Sequence, residues 1–283
     1  MSIKILHSSD WHLGKKLFKQ SRIEEQKLFL DWLENYLNKE KVDLLLIAGD
    51  IFDTPTPPND ALKLYFNFLN NISKLEHLDT IIISGNHDSS SFIEAPASIL
   101  NQHRIHIKTR LYENNNDNHI LLKKQNQSII VKTLPYFRSY DIFNLINDKN
   151  EGELTQEQTV SFLKDYLQSW PVETPQDAVK ITMAHHAFGE FAATGSEHVL
   201  HLAGLESLST TWFSKDNDYI ALGHIHSTQK MDKTKNIYYS GSPIPLRFSE
   251  KQKKYLLEFE VNNSNNKINK IEIPDFRKII QLS

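Results

Sequence analysis

The chain has 283 residues, 39% of them hydrophobic and 24% charged, with a formal net charge of −3 and no cysteine. A chain of this size buries one large core or two modest ones, and its charge balance excludes a polycation that holds nucleic acid by bulk charge, leaving local basic patches for that role. The missing cysteines exclude disulfides, thiolate metal sites and cysteine nucleophiles, and they suit a reducing compartment. The first apolar stretch runs straight into Asp10, unlike a signal peptide, and no apolar run approaches the roughly 20 residues of a membrane span. The sequence therefore reads as soluble and cytoplasmic.

Residues 3–7 predict a first strand. In 22–39, Leu28, Phe29, Trp32, Leu33, Tyr36 and Leu37 recur at helical spacing and predict an amphipathic helix. Residues 42–48 are short and uniformly apolar, as a buried parallel strand is. The Thr54-Pro55-Thr56-Pro57-Pro58 run breaks the chain, and Asn59 or Asp60 is expected to cap a helix reaching Ile72. Residues 79–84 predict another buried strand, and this alternation argues for an α/β layered fold. Further strands are expected at 105–108, 119–123 and 128–133, with a loop at 113–118 and a hairpin turn at 125–127. Helices are expected at 141–146 and 155–170, and strands at 179–183 and 219–222. Segments 237–240, 255–261 and 268–273 read as antiparallel, with a short turn at 262–266.

Five of the strands end in a small residue followed at once by Asp, Asn or His. The endings are Ser9-Asp10-Trp11-His12, Gly49-Asp50-Ile51-Phe52-Asp53, Gly85-Asn86-His87-Asp88, Ala184-His185 and Gly223-His224-Ile225-His226. Alone, Asp-X-His is weak, Gly-Asn-His-Asp can be a turn, and Gly-Asp-X-X-Asp can be a helix cap. All five together point to oxygen and imidazole ligands for two metal ions. Asp10 and His12 lie two apart, so on an extended loop both point the same way, and His224 and His226 share that spacing. Asp50 has two oxygens to bridge two ions. His185 and His186 compete for one place, because a strand sends them to opposite faces; Ala184 before His185 favours the former.

In this order the motifs resemble the calcineurin-like metallophosphoesterase superfamily. The strings His7 to Gly14, Ala48 to Asp53, Tyr219 to His226 and Tyr239 to Phe248 resemble, more narrowly, the SbcD family of bacterial nuclease subunits of SbcCD complexes. The resemblance covers about residues 1–275 and implies a layered β-sandwich flanked by helices. It implies one metal held by Asp10, His12, Asp50 and His226, and another by Asp50, Asn86, His185 and His224. Mn²⁺ is the expected ion, with Fe or Zn also suited to the ligands. It implies that His87 donates to the phosphate or leaving oxygen, oriented by Asp53, while Asp88 orients its loop. The implied reaction is hydroxide attack on a DNA phosphodiester, exonucleolytic and endonucleolytic, at ends and hairpins. It would proceed alongside an SbcC-type SMC-like ATPase in DNA repair and recombination.

The family also implies a homodimer, for which helix 60–72 (Leu62, Tyr65, Phe66, Leu69) and segment 92–100 are candidates. Relatives continue into a capping domain, of which residues 276–283 would be only the beginning. Lys15, Lys16, Lys19, Arg22 and Arg247 are candidate DNA contacts, with Lys230, Lys233 and Lys235 a third cluster. Arg104, Lys108, Arg110 and the lysines at 251–254 read as surface. Phe18, Phe137 and Tyr140 could stack on bases or belong to the core. His7, His77, His103, His106 and His119 lack ligand partners at useful spacing, and His198 and His201 could border the site. A small-substrate phosphodiesterase or phosphatase, or an interaction module with a relic site, are the competing readings.

Overall fold

The computed structural model describes residues 2–146, 155–192, 207–250, 252–261 and 266–277. His198, His201, Lys251 and most of the expected turn at 262–266 lie outside the described residues. Two six-stranded sheets dominate. The first runs Lys267–Glu272, Tyr255–Val261, Ile3–Ser8, Leu44–Ala48, Asp79–Ile83, Ile105–Lys108 in spatial order. Its last four strands are parallel, and Tyr255–Val261 joins antiparallel beside Ile3–Ser8. The second runs Gln229–Lys230, Ile237–Tyr239, Tyr219–Gly223, Val179–His185, Gln127–Leu134, His119–Lys124.

The period of two decides which core each side chain enters. Ile5, Leu44, Leu46, Ile81 and Ile83 of the first sheet meet Ile129, Val131, Ile181, Met183 and Ala221 of the second. Their neighbours Leu6, Leu45, Ile47 and Ile82 face the other way, beneath the helices Ile23–Lys39 and Asn59–Ile72. Both faces being covered, Leu44–Ala48 has no polar position to show. On the far side, Leu134, Ile220 and Leu222 pack with Leu163 and Leu167 of the helix Gln156–Gln168. That helix has a Thr155/Gln158 capping box. Its carboxyl end lies on the fully buried Lys132, whose ammonium donates to the carbonyls of Tyr166 (2.8 Å), Leu167 and Ser169.

Several expectations change. Helix Ile23–Lys39 buries Glu25, Gln26, Phe29, Leu30, Leu33 and Leu37, whereas Leu28 is exposed. Neither Asn59 nor Asp60 caps the next helix: Pro58, extended at φ −66° and ψ 152°, holds the N-cap position without a side-chain bond, and Asp60 sits in the first turn. There its charge favours the helix dipole. The 113–118 loop contains a 3-10 turn, Asn115–Asn118, started by the Asn114 side chain. Ile237–Tyr239 is parallel to Tyr219–Gly223 and antiparallel only to Gln229–Lys230, because the chain crosses back before entering the sheet. Of the stripe on helix Asn59–Ile72, Tyr65 and Leu69 are buried in the chain's own core and Phe66 is partly exposed. Among the described residues no helix is long and apolar enough to cross a membrane.

Candidate metal centre

Parallel pairing within each sheet brings strand carboxyl ends to one edge, where a doubly wound architecture places its sites. The loops after Ile3–Ser8 and Leu44–Ala48 are laced by their backbones: the amides of Asp10, His12 and Leu13 donate to the carbonyls of Gly49 (3.0 Å), Asp50 (3.0 Å) and Ile51 (2.8 Å). Close approach of the strand ends explains the glycines that precede three of the motifs, Gly49, Gly85 and Gly223. A Cβ on Gly49 would collide with His185, and Gly49 also has φ +86°; a Cβ on Gly223 would collide with the Ala48 carbonyl. Larger residues would push the two sheets apart at this edge.

Backbone strain is concentrated here. Asp10 (φ 54°), His12 (φ 46°), Asp50 (φ 52°) and His224 (φ 100°) are all non-glycine residues in the left-handed region. Asp10 and His12 therefore converge through two left-handed residues and not along an extended loop, correcting that expectation. Such conformations cost on the order of 1–3 kcal/mol each and persist where the surroundings over-determine them.

The side chains converge in two groups that share Asp50. Asp10, His12, Asp50 and His226 place one ligand atom each within 4.8 Å of one another, all buried. His12 Nε2 and His226 Nε2 are 3.2 Å apart, and Asp50 Oδ2 is 3.5 Å from His12 Nε2. The same Oδ2 lies 3.4 Å from His185 Nε2, which lies 3.2 Å from Asn86 Oδ1; His224 Nδ1 lies 2.9 Å from that oxygen. All seven side chains predicted from the five motifs thus meet. His185 Nδ1 donates to the Ala48 carbonyl at 2.7 Å, which fixes the tautomer and leaves Nε2 turned toward Asp50 and Asn86. His186 lies elsewhere: its ring stacks on Tyr136 and lies tilted against Phe137, and burial lowers its pKa well below the ordinary value.

Charge is strongly coupled across this group. Burial pushes the Asp10 carboxyl up to about 8, with Asp50 adding to the shift against the opposing pull of His185. Burial would also raise Asp50, but the charge and hydrogen bond of His185, with help from His12 and His87, hold it below the usual carboxylate range. Burial opposes charge on His185 too, yet Asp50 raises it to about 9. Convergent imidazole nitrogens and carboxylate oxygens, packed together away from water, are a donor set that a divalent cation satisfies, and the shared Asp50 oxygen suits two.

Around the centre, His87 donates from its backbone N–H to Asp50 Oδ1 (2.9 Å) and from Nδ1 to the main-chain carbonyl of Asp53 (2.8 Å). The Asp53 carboxylate lies 3.4 Å from His12 Nδ1 and 2.9 Å from Lys15 Nζ, and ligand atoms of His12, Asp53 and His87 lie within 4.8 Å of one another. Burial would raise Asp53, but His12 and Lys15 outweigh it and hold the carboxyl below its usual range. Asp88 accepts from the amides of Gly85 (2.8 Å), Ile51 (3.2 Å) and Phe52 (3.0 Å), clipping two motif loops together.

Other contacts had no motif to announce them. Gln26, buried on its helix, accepts from Gly14 N (3.0 Å) and donates to the His12 carbonyl (2.8 Å). Lys254, expected on the surface, is buried, paired with Glu250 (2.6 Å), and donates to the His226 carbonyl (3.2 Å) and Ser242 (2.9 Å). The only sequence trace of this pair is its i, i+4 spacing. Arg22, a candidate DNA contact, is buried, ion-paired with Glu25 and bonded to the Pro245 carbonyl, where it fixes a loop. Lys15 is committed to Asp53, while Lys16, Lys19 and Arg247 remain exposed. Phe137 is core; Phe18 and Tyr140 are exposed.

Comparison with known proteins follows the same lines. Residues 3–228 match the family described as calcineurin-like phosphoesterase. The SbcD subunit of nuclease SbcCD from Escherichia coli (strain K12) is 30% identical over 95% of this chain and 67% of its own length. The protein of that name from Bacillus subtilis (strain 168) is 29% identical over 88% of this chain and 63% of its own. The chain thus spans about two thirds of the length of these curated relatives. Among solved structures, a dimetal phosphatase from Danio rerio superposes with a TM-score of 0.55 at 11% identity, covering 96% of both chains, which speaks to the fold alone. With its fold and most of its length matched, the chain belongs to the calcineurin-like phosphoesterase family and, within it, groups with the SbcD subunits of SbcCD nucleases.

Proposed function

We propose that this chain is a Mn²⁺-dependent DNA nuclease that hydrolyses phosphodiesters at DNA ends and hairpins, as an exo- and endonuclease. The observation that carries the reading is the meeting of seven candidate ligands from five strand ends around one shared Asp50 oxygen. Asp10, His12, Asp50 and His226 would hold one ion, and Asp50, Asn86, His185 and His224 the other. When bound, such ions activate water and neutralise charge on a phosphoryl group.

The chain's own residues do the rest. Asp88 and the glycine-lined strand ends hold the loops in place, which supplies preorganisation. His87 is tethered through Nδ1 to the Asp53 carbonyl and packs edge-on against His12 at 4.8 Å, which sets its ring at the centre to serve a leaving oxygen. His185 is set by Ala48 to present Nε2. The relatives' names supply the nuclease reading and its place as one subunit of a complex; the family resemblance adds an SbcC-type SMC-like ATPase as partner, in DNA repair and recombination. Phe66 on helix Asn59–Ile72 and Ile99 in segment 92–100 are exposed members of the expected homodimer face. A cytoplasmic location accords with the absence of cysteine and of an apolar span among the described helices.

The test is hydrolysis of end-labelled linear and hairpin duplex DNA with Mn²⁺, beside chelated enzyme and His87→Ala. Cleavage that chelation abolishes and His87→Ala slows supports the reading. Turnover of a small aryl phosphodiester with none of DNA would replace it by a small-substrate phosphodiesterase.

A further inference from the structure

Two loops rise from the first candidate metal group, and an exposed aromatic pair joins their tips. One is a hairpin, Lys16–Leu17 with Gln20–Ser21, beginning four residues after His12; the other follows Gly241. Both are anchored at their bases: Ser242 N donates to the His226 carbonyl at 3.1 Å, and Arg22 at the foot of the hairpin bonds the Pro245 carbonyl. Above these anchors the rings of Phe18 and Phe248 lie 5.1 Å apart, yet Phe18 is 80% exposed and Phe248 48% exposed.

Folding does not account for Phe18. It occupies a two-residue hairpin turn in which it (φ 47°) and Lys19 (φ 68°) both have positive φ, where Asn-Gly or similar pairs are at ease and a bulky residue is an outlier. The chain thus holds a large apolar ring in solvent at a strained position, and such strain collects at ligand-contacting sites. Lys16, Lys19 and Arg247 are exposed around the pair. Flat apolar rings among cations, beside a phosphodiester centre, complement a polyanion that carries planar rings of its own.

We propose that Phe18 and Phe248 form a stacking platform for an unpaired base of the DNA substrate, at a frayed end or hairpin loop, with Lys16, Lys19 and Arg247 meeting the adjoining phosphates. The platform rests on the DNA-hydrolase reading given above and adds to it a recognition element outside the metal centre. Base stacking on an aromatic ring tolerates any sequence, as an end-directed activity requires.

The experiment uses the whole chain with Mn²⁺ and two substrates, a small aryl phosphodiester and duplex or hairpin DNA carrying a fluorescent purine analogue at its terminal or loop position. Phe18→Ala and Phe248→Ala should each raise KM for DNA roughly five- to a hundred-fold and abolish quenching of the terminal analogue, leaving aryl ester kinetics unchanged. Phe18→Trp should restore both DNA readouts. Lys19→Ala and Arg247→Ala should each reduce the salt dependence of DNA binding by about one phosphate contact. If both alanine variants cut DNA with unchanged KM and quenching, the platform is wrong and the DNA reading stands. If they lose aryl ester turnover as well, the loops belong to the centre and the platform is again wrong. Wild-type protein that turns over the aryl ester without binding or cutting DNA overturns both.

Discussion

The carboxylate of Asp53 has two possible employers, and replacing it separates them. If it served mainly to orient His87, Asp53→Ala would reproduce His87→Ala: slower turnover with metal binding unchanged. The structure instead ties His87 to the Asp53 main chain, which survives the substitution, and sets the carboxylate 3.4 Å from His12 Nδ1. An anion behind an imidazole fixes its orientation and raises its basicity as a ligand. His12 and Lys15 keep Asp53 ionised below the usual carboxylate range despite its partial burial, so the anion is in place at any working pH near neutrality. Loss of such a partner typically costs about 10- to 100-fold in metal affinity, or about 1.4–2.7 kcal/mol. Lys15, at 2.9 Å, shares the carboxylate and places the expectation toward the lower end. Calorimetric titration of metal-stripped protein with Mn²⁺ should show one of two sites weakened by this factor and the other kept. Unchanged affinity at both, with turnover reduced as in His87→Ala, would refute the reasoning.

Further expectations follow from other positions. His87→Ala should lower turnover by roughly 10²- to 10⁴-fold with metal content unchanged by elemental analysis; a parallel loss of metal would remove His87 from its role. His7 is fully buried, 3.0 Å from the Tyr219 hydroxyl, and burial lowers its pKa to about 3. The unfolded chain takes up this proton near pH 6.5 and the folded one only near 3, so stability falls with pH below about 6.5, by about 2 kcal/mol at about pH 5. Denaturant titrations should show His7→Gln spared that part of the acid loss; an identical acid loss in the variant would show that His7 does not titrate this way. Lys254→Met removes the cation 2.6 Å from the buried Glu250 carboxylate and should cost about 3–5 kcal/mol, with partial recovery in the double variant carrying Glu250→Gln. Thermal unfolding measures both, and a single variant as stable as wild type would show the pair to be dispensable.

How far the sequence alone reaches is clear from these positions. It determined the β-α alternation, because both periodicities are local, and it marked the candidate ligands, because each had to follow a strand end closely. The small residues before them are legible for the same reason: neither Gly49 nor Gly223 has room for a Cβ beneath the facing strand. It favoured His185 over His186 through the small residue, Ala184, that precedes it. What it left undecided depends on contacts between distant segments. No spacing reveals that Ile237–Tyr239 enters its sheet in parallel, that Arg22 turns inward onto Glu25 and Pro245, or that Lys254 reaches the His226 carbonyl. Nor can composition tell an exposed Phe18 from a buried Phe137. Asp53 shows the division most sharply. Its motif placed it beside the centre, but that its carboxylate also comes to His12 waited on the backbone turn at His12, which has positive φ and sets Nδ1 3.4 Å away. Local pattern fixes which groups are available, and only the packing of remote loops decides which atoms meet.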